Sequence, residues 1–210
     1  MLHIATLYAQ ATPPTGRDLI RHRTAKSLGE LAELAFSYKA ASLGFGLAKP
    51  LGDNQPFDFI LTSGHRLWRV QVKSTYRQAK SGAYILNASR ASPPGKTRTY
   101  TTDLIDVLAG WVMPLDVWYI IPALAFAPRS GIAVYPHREP ETGQYEPFRE
   151  AWCLLACWKE GASDDGFLID RPCRANGQSG TWDADCHCGL KEVIARLQAQ
   201  SPDHKPRRSR

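Results

Sequence analysis

The stretch from Arg66 to Thr75 constrains this chain more than any other. It alternates Leu67, Trp68, Arg69, Val70, Gln71, Val72 and Lys73, the period-2 pattern of a β-strand. A second short apolar run, Phe57 to Thr62, precedes it, and Ser63-Gly64-His65 is a tight connection between them. The two runs therefore read as a β-hairpin, with Arg66–Thr75 as the return strand. Strand side chains alternate between faces, so Gln71 and Lys73 share a face. Asp58 lies beside them near one end of the hairpin. A carboxylate, an amide oxygen and an ammonium are thus expected to converge.

That convergence suits phosphodiester hydrolysis. Mg²⁺ takes oxygen ligands and keeps several of its waters, so one or two carboxylates suffice to hold it. Its Lewis acidity polarises a phosphate and acidifies a bound water. An ammonium in the position of Lys73 can orient or deprotonate that water and offset charge on the transition state. A second carboxylate from a preceding helix would complete the shell.

Such a helix is expected upstream. Residues 1–16 read as a loose arm ending in Pro13-Pro14-Thr15-Gly16. A helix from Arg17 or Asp18 to Leu43 follows, with Leu28, Leu31, Ala32, Ala35, Phe36 and Leu43 at helical spacing and Gly44 placed to stop it. Its first turns carry Arg17, Arg21, His22, Arg23 and Lys26. Phe45 to Lys49 forms a short strand and Leu51 to Pro56 a turn. Beyond the hairpin, Tyr84–Asn87 is a strand and Ser92–Arg98 a polar, basic loop. Asp106–Val112 and Val117–Ile121 pair as a second hairpin, Ile132–Tyr135 adds an edge strand, and Phe148–Trp158 is a helix against the sheet. The order predicts an α/β fold, a mixed sheet with flanking helices. The division is an arm (1–16), one domain (17–160) and a polar C-terminal extension with a basic tail (161–210).

Composition narrows the partners. With 43% hydrophobic residues the chain can build a core, and the net charge of +6 favours an acidic partner such as nucleic acid. No apolar run approaches the ~18 residues of a membrane span, and Met1 to Gln10 lacks the charged start of a secretory signal. A cytoplasmic protein is expected. The five Cys all lie from Cys153 onward, an odd count that argues against a disulfide framework. Cys153 and Cys157, four apart, pack as small hydrophobes on one helix face. Cys173, Cys186, His187 and Cys188 lack the spacing of a structural zinc site and are read as part of the extension. His65 is a solvated turn residue, and the tail from Lys205 is a basic end able to meet phosphates. The Ser92–Arg98 loop and the Arg17–Lys26 helix start are the better candidates for DNA contact.

Taken in order, Gly29-Glu30-Leu31-Ala32-Glu33, Gly44-Phe45, Gly52-Asp53-Asn54-Gln55-Pro56-Phe57-Asp58, Arg69-Val70-Gln71-Val72-Lys73-Ser74 and Trp118-Tyr119-Ile120-Ile121-Pro122 resemble the PD-(D/E)XK nuclease superfamily. They are similar, more narrowly, to the group with group I intron-associated homing endonucleases and Holliday-junction-resolvase-like proteins. The resemblance spans about residues 24–158. It implies a restriction-endonuclease-like core in the order α-β-β-β-α-β. It also implies that Asp58 is the metal-binding Asp, that Gln71 stands where most members carry Asp or Glu, and that Lys73 is the motif Lys. Glu33 matches the helical Glu that completes the metal site, with Glu30 as the alternative. Phe57 replaces the Pro that usually precedes the Asp. Gln71 withholds one negative charge, a departure that the homing-endonuclease group shares.

The function implied is Mg²⁺-dependent cleavage of double-stranded DNA. Glu33, Asp58 and Gln71 serve the metal, and Lys73 assists the attacking water. Cutting both strands calls for two sites, hence a homodimer or homotetramer. A structure-selective junction resolvase and a non-catalytic DNA-binding module that kept the fold are the rivals.

Overall fold

The computed structural model describes residues 23–52, 54–63, 66–92, 95–139 and 142–156. Its first element is helix α1, Ala25–Ser42. Thr24 caps it, its hydroxyl accepting a bond from Ser27 N at 3.2 Å. The helix thus starts well after Arg17 or Asp18, where the sequence pattern had suggested, because a good cap outweighs the weak periodicity before it. Leu28, Ala32, Phe36 and Ala40 recur every four residues and are buried, so one face is committed to the core. Gly44, at φ 86°, supplies the left-handed turn that ends the helix.

Among the described residues nine strands follow: β1 Gly46–Ala48, β2 Phe59–Ser63, β3 Arg66–Thr75, β4 Tyr84–Asn87, β5 Ser89–Ser92, β6 Lys96–Thr99, β7 Val107–Val112, β8 Val117–Pro122 and β9 Gly131–Val134. Five build the main sheet in the order β1-β2-β3-β7-β8. The hairpin expected from the alternating run is there: β2 pairs antiparallel with β3, Phe59 opposite Val70. The second hairpin, β7–β8, is also there, and β3 runs parallel to β7. The sheet is therefore mixed, as expected, and α1 packs against β3.

Phe36 on α1 is the pivot of that packing. Its ring lies 5.3 Å from Phe59, 5.9 Å from Trp118 and 5.8 Å from Trp152, centroid to centroid. Three separated segments thus meet on one helical side chain, with Leu61, Val70, Leu108 and Ile120 fully buried around them. An ion pair closes the parallel crossover. Asp106 accepts from Arg69 Nη2 at 2.9 Å, from Arg69 Nε at 3.1 Å and from the Arg69 backbone N–H at 2.7 Å.

Four expectations are corrected. The crossover from β3 to β7 holds β4, β5 and β6 and no α-helix among the described residues. The core pattern implied by the resemblance has a helix there, but the Ser/Thr-rich, Pro-Pro-Gly sequence favours short strands. The Ser92–Arg98 segment is not a plain loop, since β5 and β6 form a two-stranded ribbon. Strand β9 does not edge the main sheet but pairs with β4 in a separate two-stranded sheet. Phe148–Trp158 is not one helix. A 3₁₀ turn, Glu146–Phe148, gives way at Glu150 (φ 50°) to the helix Cys153–Ala156, at the end of the described residues. Glu150 explains the break. Its N–H donates to Trp118 O at 2.7 Å, and its carboxylate accepts from Trp118 N at 2.7 Å and Trp152 Nε1 at 2.9 Å. The segment is a strap on the exposed edge of β8, which satisfies backbone groups that a helix would have left unpaired.

Cys153 is buried, as expected, whereas Cys157 lies outside the described residues. So do the arm, Arg17 to His22, His65, the C-terminal extension with Cys173, Cys186, His187 and Cys188, and the basic tail. Among the described residues no helix is long and apolar enough to cross a membrane.

Candidate active site

Asp58 sits one residue before β2, and the hairpin register carries it alongside β3. Its N–H donates to Val70 O at 2.9 Å, continuing the ladder by one step. Its Oδ2 then accepts from Val72 N at 2.7 Å, so the carboxylate takes over where the strand carbonyls of β2 end. The same oxygen accepts from Gln71 Nε2 at 2.5 Å, and Nε2 also reaches Val72 O at 3.2 Å. Gln71 is buried. Its amide is held between the Asp58 side chain and the strand backbone.

Lys73 follows two residues along β3 and is half-buried. Its ammonium lies 5.6 Å from the centre of the Tyr100 ring, in cation–π range. Glu33 projects from the middle of α1. Its Oε2 accepts from Lys49 Nζ at 2.6 Å, and Lys49 lies just after β1.

The electrostatics tie these groups together. Burial pushes the Asp58 carboxyl up, to about 6. The Val72 N–H opposes that shift, Glu33 adds to it, and Lys73 and Lys49 counter it. Burial pushes the Lys73 ammonium down, while Asp58 and Glu33 hold it up. The hydrogen bond to Glu33 raises Lys49, with Asp58 and Glu30 adding to the effect. Burial raises the Tyr100 hydroxyl, and Asp58 raises it further. Glu33, Asp58, Lys49 and Lys73 therefore share one electrostatic neighbourhood at the edge of the α1–β3 contact.

All four residues singled out in the sequence, Glu33, Asp58, Gln71 and Lys73, are thus brought to one place. Glu30, the alternative to Glu33, is exposed, whereas Glu33 is half-buried and engaged. Two members were not anticipated. Lys49 closes the stretch read as a short strand, where a lysine ordinarily marks solvent. Tyr100 ends the ribbon, and its one signal was an aromatic closing a polar segment.

The donor set fits a hard divalent cation. Two carboxylates and an amide are oxygen donors, and a half-turn of the Gln71 amide would exchange its nitrogen for its oxygen beside Asp58. A carboxylate held partly out of water gains from an adjacent cation. Among the described residues no group of three or more His, Cys, Asp or Glu is gathered that could hold a metal ion.

The model of the PD-(D/E)XK endonuclease family matches residues 23–150. This chain belongs to the PD-(D/E)XK endonuclease family. The matched span contains every residue of the site just described. Nucleases of the family generally use divalent metal ions. A solved structure of a bacterial homing endonuclease, I-Ssp6803I, superposes with a TM-score of 0.56 at 27% identity. The alignment covers 63% of this chain and 93% of that one. A comparison with curated proteins finds no match.

Proposed function

We propose that this chain is a Mg²⁺-dependent endonuclease that cleaves double-stranded DNA in the manner of a homing endonuclease. The observation that carries this reading is the Gln71–Asp58 hydrogen bond within the shared field of Glu33 and Lys73. Glu33, Asp58 and Gln71 would hold the cation, whose chemistry there is Lewis-acid activation of phosphate and water. Lys73 is the catalytic ammonium. Its burial eases loss of a proton, and its neighbouring carboxylates keep it close to the reacting oxygens. The likeness to a structure described as a bacterial homing endonuclease supports the subtype.

The basic ribbon supports DNA as substrate. Lys96, Thr97 and Arg98 are exposed on β6, and Arg90 on β5 lies directly opposite Arg98. Like charges facing each other across a ribbon cost stability alone and become favourable against phosphates. The ribbon is rooted at Tyr100, beside Lys73, so a duplex on the ribbon leads towards the site. We assign the nuclease domain to residues 17–160, between the arm and the extension. Cutting both strands of a duplex calls for paired sites, and a homodimer or homotetramer supplies them.

Plasmid cleavage in Mg²⁺ tests the reading. Wild type nicks or linearises, and Asp58→Ala and Lys73→Ala each lose about 10²–10⁴-fold in rate, the usual worth of such groups. Both variants still shift DNA when Ca²⁺ replaces Mg²⁺. Preferential cutting of four-way junctions would reassign the enzyme as a junction resolvase. DNA binding without cleavage of plasmid, genomic DNA or junctions would make it a binding module.

A further inference from the structure

The site contains two ammonium groups that differ in how they are held. Lys73 is half-buried on a central strand. Lys49 is on the short link after β1, and 62% of its side chain is exposed. Yet its Nζ makes a 2.6 Å bond to Glu33 Oε2, on a carboxylate only 26% exposed. The Lys49 ammonium also lies in the field of Asp58 and 5.7 Å from the centre of the Phe59 ring. A cation thus stands on the helical carboxylate of the site, at the end of a stem long enough to withdraw into water.

We propose that Lys49 is a removable counterion, which occupies the Glu33 carboxylate while the metal is absent and yields it when a divalent cation binds. This rests on the function proposed above. Two carboxylates close together, one of them largely desolvated, repel each other in the metal-free protein. Lys49 offsets that repulsion, so the site stays formed without its ion. The same contact competes with the ion for Glu33. Being half-exposed, it is a weak ion pair, which lets a divalent cation displace it. Lys49 is on this account a positioning residue that acts through Glu33.

The test is Mn²⁺ binding to the full chain without DNA, read by the electron paramagnetic resonance of unbound Mn²⁺. Lys49→Met binds Mn²⁺ about 2–5-fold more tightly than wild type, the scale expected when a weak ion pair is removed. Lys49→Arg, which keeps the charge, binds no more tightly than wild type. On a Glu33→Gln background, Lys49→Met changes nothing. A second readout is melting temperature: the gain on adding Mn²⁺ is larger in Lys49→Met than in wild type. Unchanged or weaker binding by Lys49→Met would overturn the proposal while leaving the metal site intact. Absence of Mn²⁺ uptake by wild type and by Lys49→Met alike would overturn the metal site itself, and this proposal with it.

Discussion

Gln71 donates its side-chain Nε2 to Asp58 Oδ2 at 2.5 Å, joining the two strands of the hairpin at the point where their backbone pairing ends. The bond fixes the Asp58 carboxylate, and it makes the buried Gln71 amide dependent on a single neighbouring side chain and one backbone carbonyl. Removing either partner leaves a polar group with nothing in place of water.

Gln71→Ala therefore lowers stability by about 1–3 kcal/mol, the cost of leaving a buried acceptor short of its donor. Gln71→Glu sets a second carboxylate against Asp58 and is destabilised more in EDTA than in Mg²⁺. Urea denaturation of the three proteins with and without Mg²⁺ measures both effects. Equal losses in the two conditions would mean that no cation is held between residues 58 and 71.

Burial pushes the Asp58 carboxyl up to about 6 in the folded protein, from its ordinary 3.8. Between those values the folded protein holds a proton that the unfolded chain has lost, so stability falls as pH rises, and the penalty is complete above the folded value. Asp58→Asn keeps an acceptor and discards the charge. In EDTA it is more stable than wild type by on the order of 1–3 kcal/mol at about pH 7.5, and the difference closes at about pH 4. Denaturation midpoints at the two pH values decide the matter, and a constant difference would refute the assignment.

Gly110 lies opposite Lys73 in the β3–β7 register. A methyl group there would run into the Leu86 side chain, which is fully buried. Gly110→Ala costs about 1–3 kcal/mol by overpacking. Leu86→Ala costs about 2–5 kcal/mol by itself. The double variant recovers part of the sum, because each change relieves the other's defect. Strict additivity in a double-mutant cycle would show that β4 does not pack over Gly110.

The ribbon makes a prediction about salt. Lys96→Ala and Arg98→Ala each weaken DNA binding similarly across sequences, and each flattens the dependence of log K on log salt by about 1. Fluorescence anisotropy over a KCl series in Ca²⁺ reads the slope. Weaker binding with an unchanged slope would mean that these cations do not meet phosphates.

Much of this protein can be read directly from its residues. Alternation over Trp68–Lys73 favours one hairpin register, and that register sets Asp58 beside Gln71 with Lys73 on the same face. The four-residue recurrence of Leu28, Ala32, Phe36 and Ala40 turns Glu33 partly inward. Local periodicity suffices for these features, because strand pleat and helical pitch decide which side chains are neighbours.

Other features depend on the assembled molecule. The ion pair between Lys49 and Glu33 joins residues 16 apart, and no pattern in either segment announces it. The elevated Asp58 carboxyl comes from burial that α1 and the sheet create together. Glu150 interrupts an apparently helical segment because the edge of β8 offers its backbone and carboxylate better partners than a helix would. Sequence alone determined which side chains could form the site, since spacing along one element is local geometry. Only the tertiary structure decided their charge environment and the counterion among them, since desolvation and Coulomb energy depend on distances between segments remote in the chain.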